Sequence, residues 1–380
     1  NRGTPRRPAF EGLIPMLRFN PNLESVPGYH PGSPKGRTAG EVQESEVAQL
    51  ASNESPFPPL DGVVEAIERA ASATNRYPDP EASELRGALA AHHGVDPSEI
   101  AVGNGSCEIL VAAGQAMLSP GREVVYAWPS FSIYPTLAPL NGGSEVRVPL
   151  TEDETHDLPA MLERIGPSTA MVIVCNPNNP TATYRGADEI AEFVRSVPED
   201  VAVILDEAYI DFQDRDDPEA SLELFRERDN LIILRTFSKS HSLAGFRVGY
   251  AICPPSFKAA VDAVRQPFPV NVLAQAAATE ALRHGGDVRA RIAEVQAERT
   301  RVERGLAEAG IASSESQANF SWVRIGDQRS EEQVVSAMAG EGVLVRAGTV
   351  LGAPGHLRVS YGTEAEDDRM IAALEKALSD

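Results

Sequence analysis

The chain has 380 residues, 42% hydrophobic and 23% charged, an ordinary globular composition with room for about two domains. Its 34 basic and 55 acidic side chains leave a net charge of −21, a field that repels phosphodiester backbones and anionic lipid and argues against nucleic-acid or membrane-surface binding. No run approaches the ~18 apolar residues of a membrane span, and the polar start Asn1–Pro8 has no apolar signal-peptide stretch. Cysteines 107, 175 and 253 have no paired spacing and the seven histidines contain no HExxH pair. A reducing, cytoplasmic setting without disulfides or a catalytic metal is therefore expected.

In chain order, residues 1–45 are rich in Pro, Gly and Arg and read as an N-terminal arm. A helix over Val63–Ala73, a Pro-rich turn at Tyr77–Pro80 and a helix over Ser83–His92 follow. Short Val- and Ile-rich runs then alternate with helical stretches: Glu123–Ala127, Ala170–Cys175, Val201–Leu205, Leu231–Leu234 and Arg247–Cys253. Apolar throughout, they read as strands buried on both faces of a mostly parallel sheet between helices, an α/β domain over 46–272. A long helical segment runs from Leu273 to Arg304 with a break at Gly285-Gly286. Beyond it, strands at Phe320–Ile325, Val343–Arg346 and His356–Tyr361 mix with helices at Glu331–Ala339 and Ala365–Leu378. Residues 273–380 thus read as a connecting helix and a smaller α+β domain.

Ligands of open α/β sheets bind beyond the carboxyl ends of the strands, and the unusual residues of this chain fall there. Gly103-Asn-Gly105-Ser106-Cys107 precedes a helix, whose first N–H groups can meet an anion, although a strand-to-helix turn capped by Ser106 accounts for it equally. Glu108 in the third glycine position counts against a dinucleotide fingerprint. The Asn- and Pro-rich loop 176–182 follows one strand, and Asp206-Glu-Ala-Tyr209 follows another. Asp206 reads either as a helix cap or as a carboxylate holding a protonated ring nitrogen. Lysine occurs only at 35, 239, 258 and 376, and Lys239 ends an apolar run. A lysine desolvated near other cations becomes a nucleophilic amine. Together these sites supply an anion cradle, ring-contacting donors, a carboxylate and an imine-forming amine, the parts that pyridoxal phosphate requires.

Ser238-Lys-x-x-x-Leu-Ala-Gly-x-Arg-x-Gly-Tyr250, Asn-Pro-Thr-Ala at 179–182 and Asp-Glu-Ala-Tyr at 206–209 resemble the class I/II, fold-type I aminotransferases. Segments 26–32, 51–57, 75–79, 269–275, 317–320 and 357–363 are similar to the histidinol-phosphate aminotransferase group, in order from about residue 20 to the end. The resemblance implies a homodimeric enzyme that carries pyridoxal phosphate as a Schiff base on Lys239. Asp206 would pair with the ring nitrogen, Asn179 and Tyr209 would donate to the ring hydroxyl oxygen, and Phe131 would stack on the ring. Gly105, Ser106, Cys107, Thr236, Ser238 and Arg247 would surround the phosphate, with Tyr77 reaching it from the partner subunit. Asn53, Arg346 and Arg358 would bind substrate.

The resemblance favours ping-pong exchange between histidinol phosphate and the 2-oxoglutarate/glutamate pair. Aromatic or other amino-acid transamination, a threonine-phosphate decarboxylase-like lyase and a non-enzymatic cofactor-binding module are the alternatives. Ala182 stands where the family has glycine, Cys107 where aspartate is common, and Ser55 where asparagine is usual. The stretch 347–355 is also atypical. Ser55 and that stretch bear on substrate choice.

Overall fold

The computed structural model describes residues 19–28, 47–326 and 329–379. The expected arm over 1–45 lies outside the described residues except for 19–28, where the single turn Pro21–Ser25 lies against a helix described below as α4. The chain opens with β1 (Ala48–Gln49), α1 (Asp61–Ala71), α2 (Ser83–His93), β2 (Ile100–Gly103) and α3 (Ser106–Met117). Next come β3 (Glu123–Trp128), α4 (Tyr134–Asn141), β4 (Ser144–Pro149), α5 (Leu158–Glu163), β5 (Thr169–Cys175) and α6 (Ala187–Ser196). Then follow β6 (Ala202–Asp206), α7 (Ala220–Glu227), β7 (Leu231–Thr236), β8 (Gly249–Ile252), α8 (Pro255–Val264), α9 (Val272–Arg283) and α10 (Gly285–Glu308). The last elements are β9 (Phe320–Arg324), α11 (Glu331–Gly340), β10 (Val343–Leu344), β11 (Arg346–Ala347), β12 (His356–Ser360) and α12 (Glu364–Ser379).

Seven strands form one sheet in the order β2-β8-β7-β6-β5-β3-β4. All neighbours are parallel except β8, which runs antiparallel to both β2 and β7. The expected mostly parallel sheet between helices is present, and every residue of β5, β6 and β7 is buried. Alternate residues serve opposite cores: Val172 and Val174 face the cluster that holds α2, α6 and α9, whereas Met171 and Ile173 face the one that holds α3, α4 and α8. Because β8 is the one reversed strand, the carboxyl ends of β2, β5, β6 and β7 and the amino end of β8 meet along a single edge.

A three-stranded antiparallel sheet, β11-β12-β9, is covered by α10, α11 and α12 around a third core. The structure departs from the expectation here in four places. Val343–Arg346 is not one strand: Val343 and Leu344 pair with β1, then the chain shifts at Val345 so that Arg346 and Ala347 pair with β12. Residues 48–50, read as part of the larger unit, therefore lie with the smaller one. Helix α9, read as the start of the connecting helix, packs its Ala274, Ala277, Ala278 and Ala281 on the large sheet's core. The change of direction falls at His284, one residue before the expected glycines.

Candidate active site

The cup at the strand edge begins with Gly105, the N-cap of α3, at φ 76 with no side-chain cap on the helix. The first N–H groups of α3 are thus left for another acceptor, and Ser106 opens the helix without capping it. Gly249 is dictated by close approach of backbone and Gly105 by its positive φ. A Cβ on Gly105 would lie 2.7 Å from Arg247 Nη2, and one on Gly249 would lie 2.4 Å from the Ser106 backbone nitrogen. Opposite the helix end, Thr236 Oγ1 donates to Ser238 Oγ at 2.9 Å, and Arg247 Nη1 approaches the same oxygen at 3.5 Å. Arg247 itself is left-handed, at φ 58, which brings its guanidinium back over Gly105.

Asp206 ends β6 with 2% of its surface exposed. Its Oδ2 accepts the Tyr134 hydroxyl proton at 2.8 Å and its Oδ1 the Ala208 N–H at 3.3 Å. The helix-cap alternative does not hold, since the turn that follows has Tyr209 at its N-cap. Burial pushes the Asp206 carboxyl up to about 6 against the pull of those two donors. Beneath it, buried Arg235 bridges β7 to β6 through its bond to Glu207, Nε to Oε2 at 2.9 Å, and so fixes the strand ends that carry the site.

Lys239 Nζ donates to the backbone carbonyls of Asn53 at 2.9 Å and Ser52 at 3.2 Å and lies 5.6 Å from the Tyr209 ring centre. Burial, reinforced by the positive charge of Arg358, brings its amine down to about 7. Tyr209 Oη accepts from Asn53 Nδ2 at 3.0 Å and Asn179 Nδ2 at 3.4 Å. Arg358 donates from Nη1 to Asn179 Oδ1 at 2.7 Å and from Nη2 to the Ala51 carbonyl at 2.8 Å. Arg346 is directly opposite Arg358 in the β11–β12 pair, and both are buried.

These groups open on one cavity of about 410 Å³. Of the residues named from sequence it gathers Asn53, Ser106, Cys107, Phe131, Asn179, Asp206, Tyr209, Thr236, Ser238, Lys239, Arg247, Arg346 and Arg358. Gly105 contributes from behind as the helix cap. Tyr77 lies outside the cavity of its own chain, 82% exposed and stacked on Phe268 at 4.5 Å. Sequence reading missed Tyr134, Glu54 and Leu351. The Tyr134 signal was the second aromatic of Phe131-Ser-Ile-Tyr134, which reads as an ordinary core residue until β6 is placed beside it.

The departures sort themselves by position. Ala182 is left-handed, at φ 60, with its methyl fully buried, so the backbone turn usually given to glycine is kept. Burial and the Asp206 charge push the Cys107 thiol up to about 11, which leaves it neutral beside the cup. Ser55 accepts from Ser242 Oγ at 2.8 Å and is not among the residues lining the cavity. The atypical stretch 347–355 does reach it: the turn Thr349–Leu351 places Leu351 in the wall, and left-handed Gly352 after it lies against the Trp128 ring.

Among the described residues no helix is long and apolar enough to cross a membrane. The family model for aminotransferase class I and II matches residues 45–374. An aromatic amino acid aminotransferase of Cutibacterium acnes is 40% identical over 94% of this chain and 97% of its own length. A histidinol-phosphate aminotransferase of Akkermansia muciniphila is also 40% identical, over 94% of this chain and 98% of its own. Among solved structures, the histidinol-phosphate aminotransferase of Sinorhizobium meliloti in complex with pyridoxal-5′-phosphate superposes with a TM-score of 0.86 at 30% identity, covering 95% of this chain and 97% of that one.

Proposed function

This chain belongs to the class I and II aminotransferases, enzymes that work with pyridoxal phosphate, and we propose that it exchanges an amino group between aromatic amino acids and the glutamate/2-oxoglutarate pair. The observation that carries this reading is the juxtaposition of the buried Arg346–Arg358 pair with the apolar wall supplied by Leu351 in one cavity. Like charges directly opposite on neighbouring strands are unfavourable by themselves. A substrate carboxylate offsets that cost through paired N–H···O bonds. The apolar wall suits a flat hydrocarbon ring. Relatives named for aromatic amino acids point the same way.

The residues fit the cofactor. A phosphate suits a cup where no Cβ would fit at Gly249, where helix N–H groups lack a side-chain cap, and where Arg247 closes over Gly105. A buried carboxylate at Asp206 suits a protonated ring nitrogen. When bound, pyridoxal phosphate supplies an aldehyde for the amino group and a ring that takes up the electron pair released at the substrate's α-carbon. Asp206 would pair with the ring nitrogen, Tyr209 and Asn179 would donate to the ring hydroxyl oxygen, and Phe131 would cover the ring. Lys239, whose amine burial brings down to about 7, would hold the cofactor through that amine with water as the leaving group and, once freed, would carry the proton at the substrate's α-carbon. Arg358 orients the substrate by its carboxylate. A homodimer that shares its sites is part of the proposal, with Tyr77 reaching the partner's site; its exposure and its stacking on Phe268 support that reading.

Histidinol phosphate is the second reading. Two guanidinium groups also suit a dianionic phosphate, and the Akkermansia relative carries that name. Mixing the cofactor-loaded protein separately with phenylalanine, glutamate, histidinol phosphate and threonine phosphate decides between them. Rapid loss of the visible cofactor band with phenylalanine and with glutamate is the expected result. Loss with histidinol phosphate and glutamate alone replaces the aromatic reading by the second. Release of CO₂ from threonine phosphate would mark a lyase, and no change with any compound would leave only a cofactor-binding module.

A further inference from the structure

Asn53 belongs to neither sheet, yet it joins four parts of the site. It is left-handed, at φ 53, a conformation that asparagine, aspartate and glycine tolerate. That turn aims its carbonyl at Lys239 Nζ and at Asn319 Nδ2, 3.2 Å away. Its N–H donates to Ser360 Oγ at 2.7 Å. Since Ser360 Oγ accepts there, its own proton is free for Asn53 Oδ1, 3.2 Å away. The amide of Asn53 is oriented by that bond, and its Nδ2 can only donate to Tyr209 Oη. Asn179 is fixed independently: its Oδ1 accepts from the cationic Arg358, which leaves its Nδ2 as the second donor to Tyr209.

With two amides donating to it, the Tyr209 oxygen has no use left but to donate its own proton, and the space it faces is the cavity. We propose that Asn53 is a positioning residue that turns the Tyr209 O–H into the cavity, completing a one-way chain of hydrogen bonds from Ser360 on β12. The inference rests on the reading of Tyr209 as a donor to the cofactor's ring oxygen and adds what fixes the direction of that bond. The charged and titratable groups around the Tyr209 hydroxyl are Arg358 from β12, Cys175 and Asp206 from the ends of β5 and β6, and Lys239 beyond β7.

Asn53→Asp tests this with little change in shape. A carboxylate cannot donate to Tyr209; it would accept the hydroxyl proton and draw it out of the cavity. A donor to the ring oxygen stabilises negative charge there, so its loss favours the protonated form of the bound chromophore. The pH midpoint of the visible cofactor band is expected to rise by about one unit in Asn53→Asp, as it would in Tyr209→Phe, the size of one hydrogen bond to a charged oxygen. In the double variant the midpoint should equal that of Tyr209→Phe alone. An unchanged midpoint in Asn53→Asp, beside a shifted one in Tyr209→Phe, overturns the proposal. So does an Asn53→Asp increment that persists in the Tyr209→Phe background, because the added charge would then be acting directly. An unshifted Tyr209→Phe removes the underlying reading of Tyr209 instead. Should Asn53→Asp fail to load cofactor, Asn53→Gly keeps the left-handed backbone without the donor. Its midpoint should rise in the same direction only while Tyr209 is present, and a rise without Tyr209 counts against the proposal.

Discussion

Asp206 is held as a carboxylate against its own solvation. Its rise from 3.8 to about 6 on folding corresponds to about 3 kcal/mol of destabilisation once the group is ionised in both states. A carboxyl whose folded value is raised contributes its full share of stability below its unfolded value and loses that share as the pH climbs through the folded one. Above about pH 6 the cofactor-free protein therefore carries a buried anion that, among the described residues, only Tyr134 and the Ala208 N–H satisfy. An asparagine in its place would carry no charge and could still accept from Tyr134. Asp206→Asn should then raise the melting temperature of the cofactor-free protein by a few degrees at pH 8, with the gain shrinking as the pH falls toward 4. With cofactor bound the order should reverse, because the ring nitrogen has lost its anionic partner. Thermal melts of both forms at the two pH values check this. Equal melting temperatures at pH 8 without cofactor would mean that the site satisfies the charge better than its two donors suggest. The same residue was legible from sequence as a carboxylate at the end of an apolar strand. Tyr134 was not, since nothing local in Phe131–Tyr134 says that α4 will bring a phenol to the end of β6.

At the scale of elements, the cup depends on β8 running against its neighbours. Gly249 opens β8 between Gly103 at the end of β2 and Thr236 at the end of β7, so the first turn of α3 lies directly on it. A Cβ there would meet three backbone atoms, Ser106 N at 2.4 Å, Gly105 C at 2.9 Å and Arg235 O at 3.1 Å, none of which can swing aside as a side chain would. Gly249→Ala should cost about 1–3 kcal/mol of stability through overpacking and weaken cofactor binding at least about tenfold, the equivalent of 1.4 kcal/mol. Equilibrium titration of the cofactor-free variant with pyridoxal phosphate measures it, and wild-type affinity would mean that α3 can move off the sheet without loss. The strands β5, β6 and β7 were legible because each is a short, wholly apolar run. The reversal of β8 was not, since Gly249–Ile252 is as apolar as the parallel strands of the sheet and direction leaves no trace in such a run. Strand β4 was missed for the opposite reason: Ser144–Pro149 sits at the sheet's edge with half its length polar and at least partly exposed. The split of Val343–Arg346 between two sheets likewise follows from tertiary partners and not from any local signal.

The whole molecule sets positive groups inside a negative body. Arg247, Arg346 and Arg358 surround the cavity, while the chain as a whole carries −21. The two fields act over different distances. Within the cavity, low dielectric and short separations favour the arginines. Beyond a Debye length, about 10 Å at 0.1 M salt, an incoming anion responds to the summed charge, and that is repulsive. Pyridoxal phosphate and any other anionic ligand must therefore cross an unfavourable region before the arginines can hold them. Added salt screens the long-range repulsion more than the buried contacts. The association rate of pyridoxal phosphate with the cofactor-free protein should consequently rise on going from about 10 mM to about 150 mM salt, by roughly a few-fold, with little change in the dissociation rate. Stopped-flow absorbance at the two salt concentrations gives both rates. An association rate that falls with salt would mean that the arginines project their field through the cavity mouth and steer the anion in, so that the acidic surface governs solubility and not ligand capture.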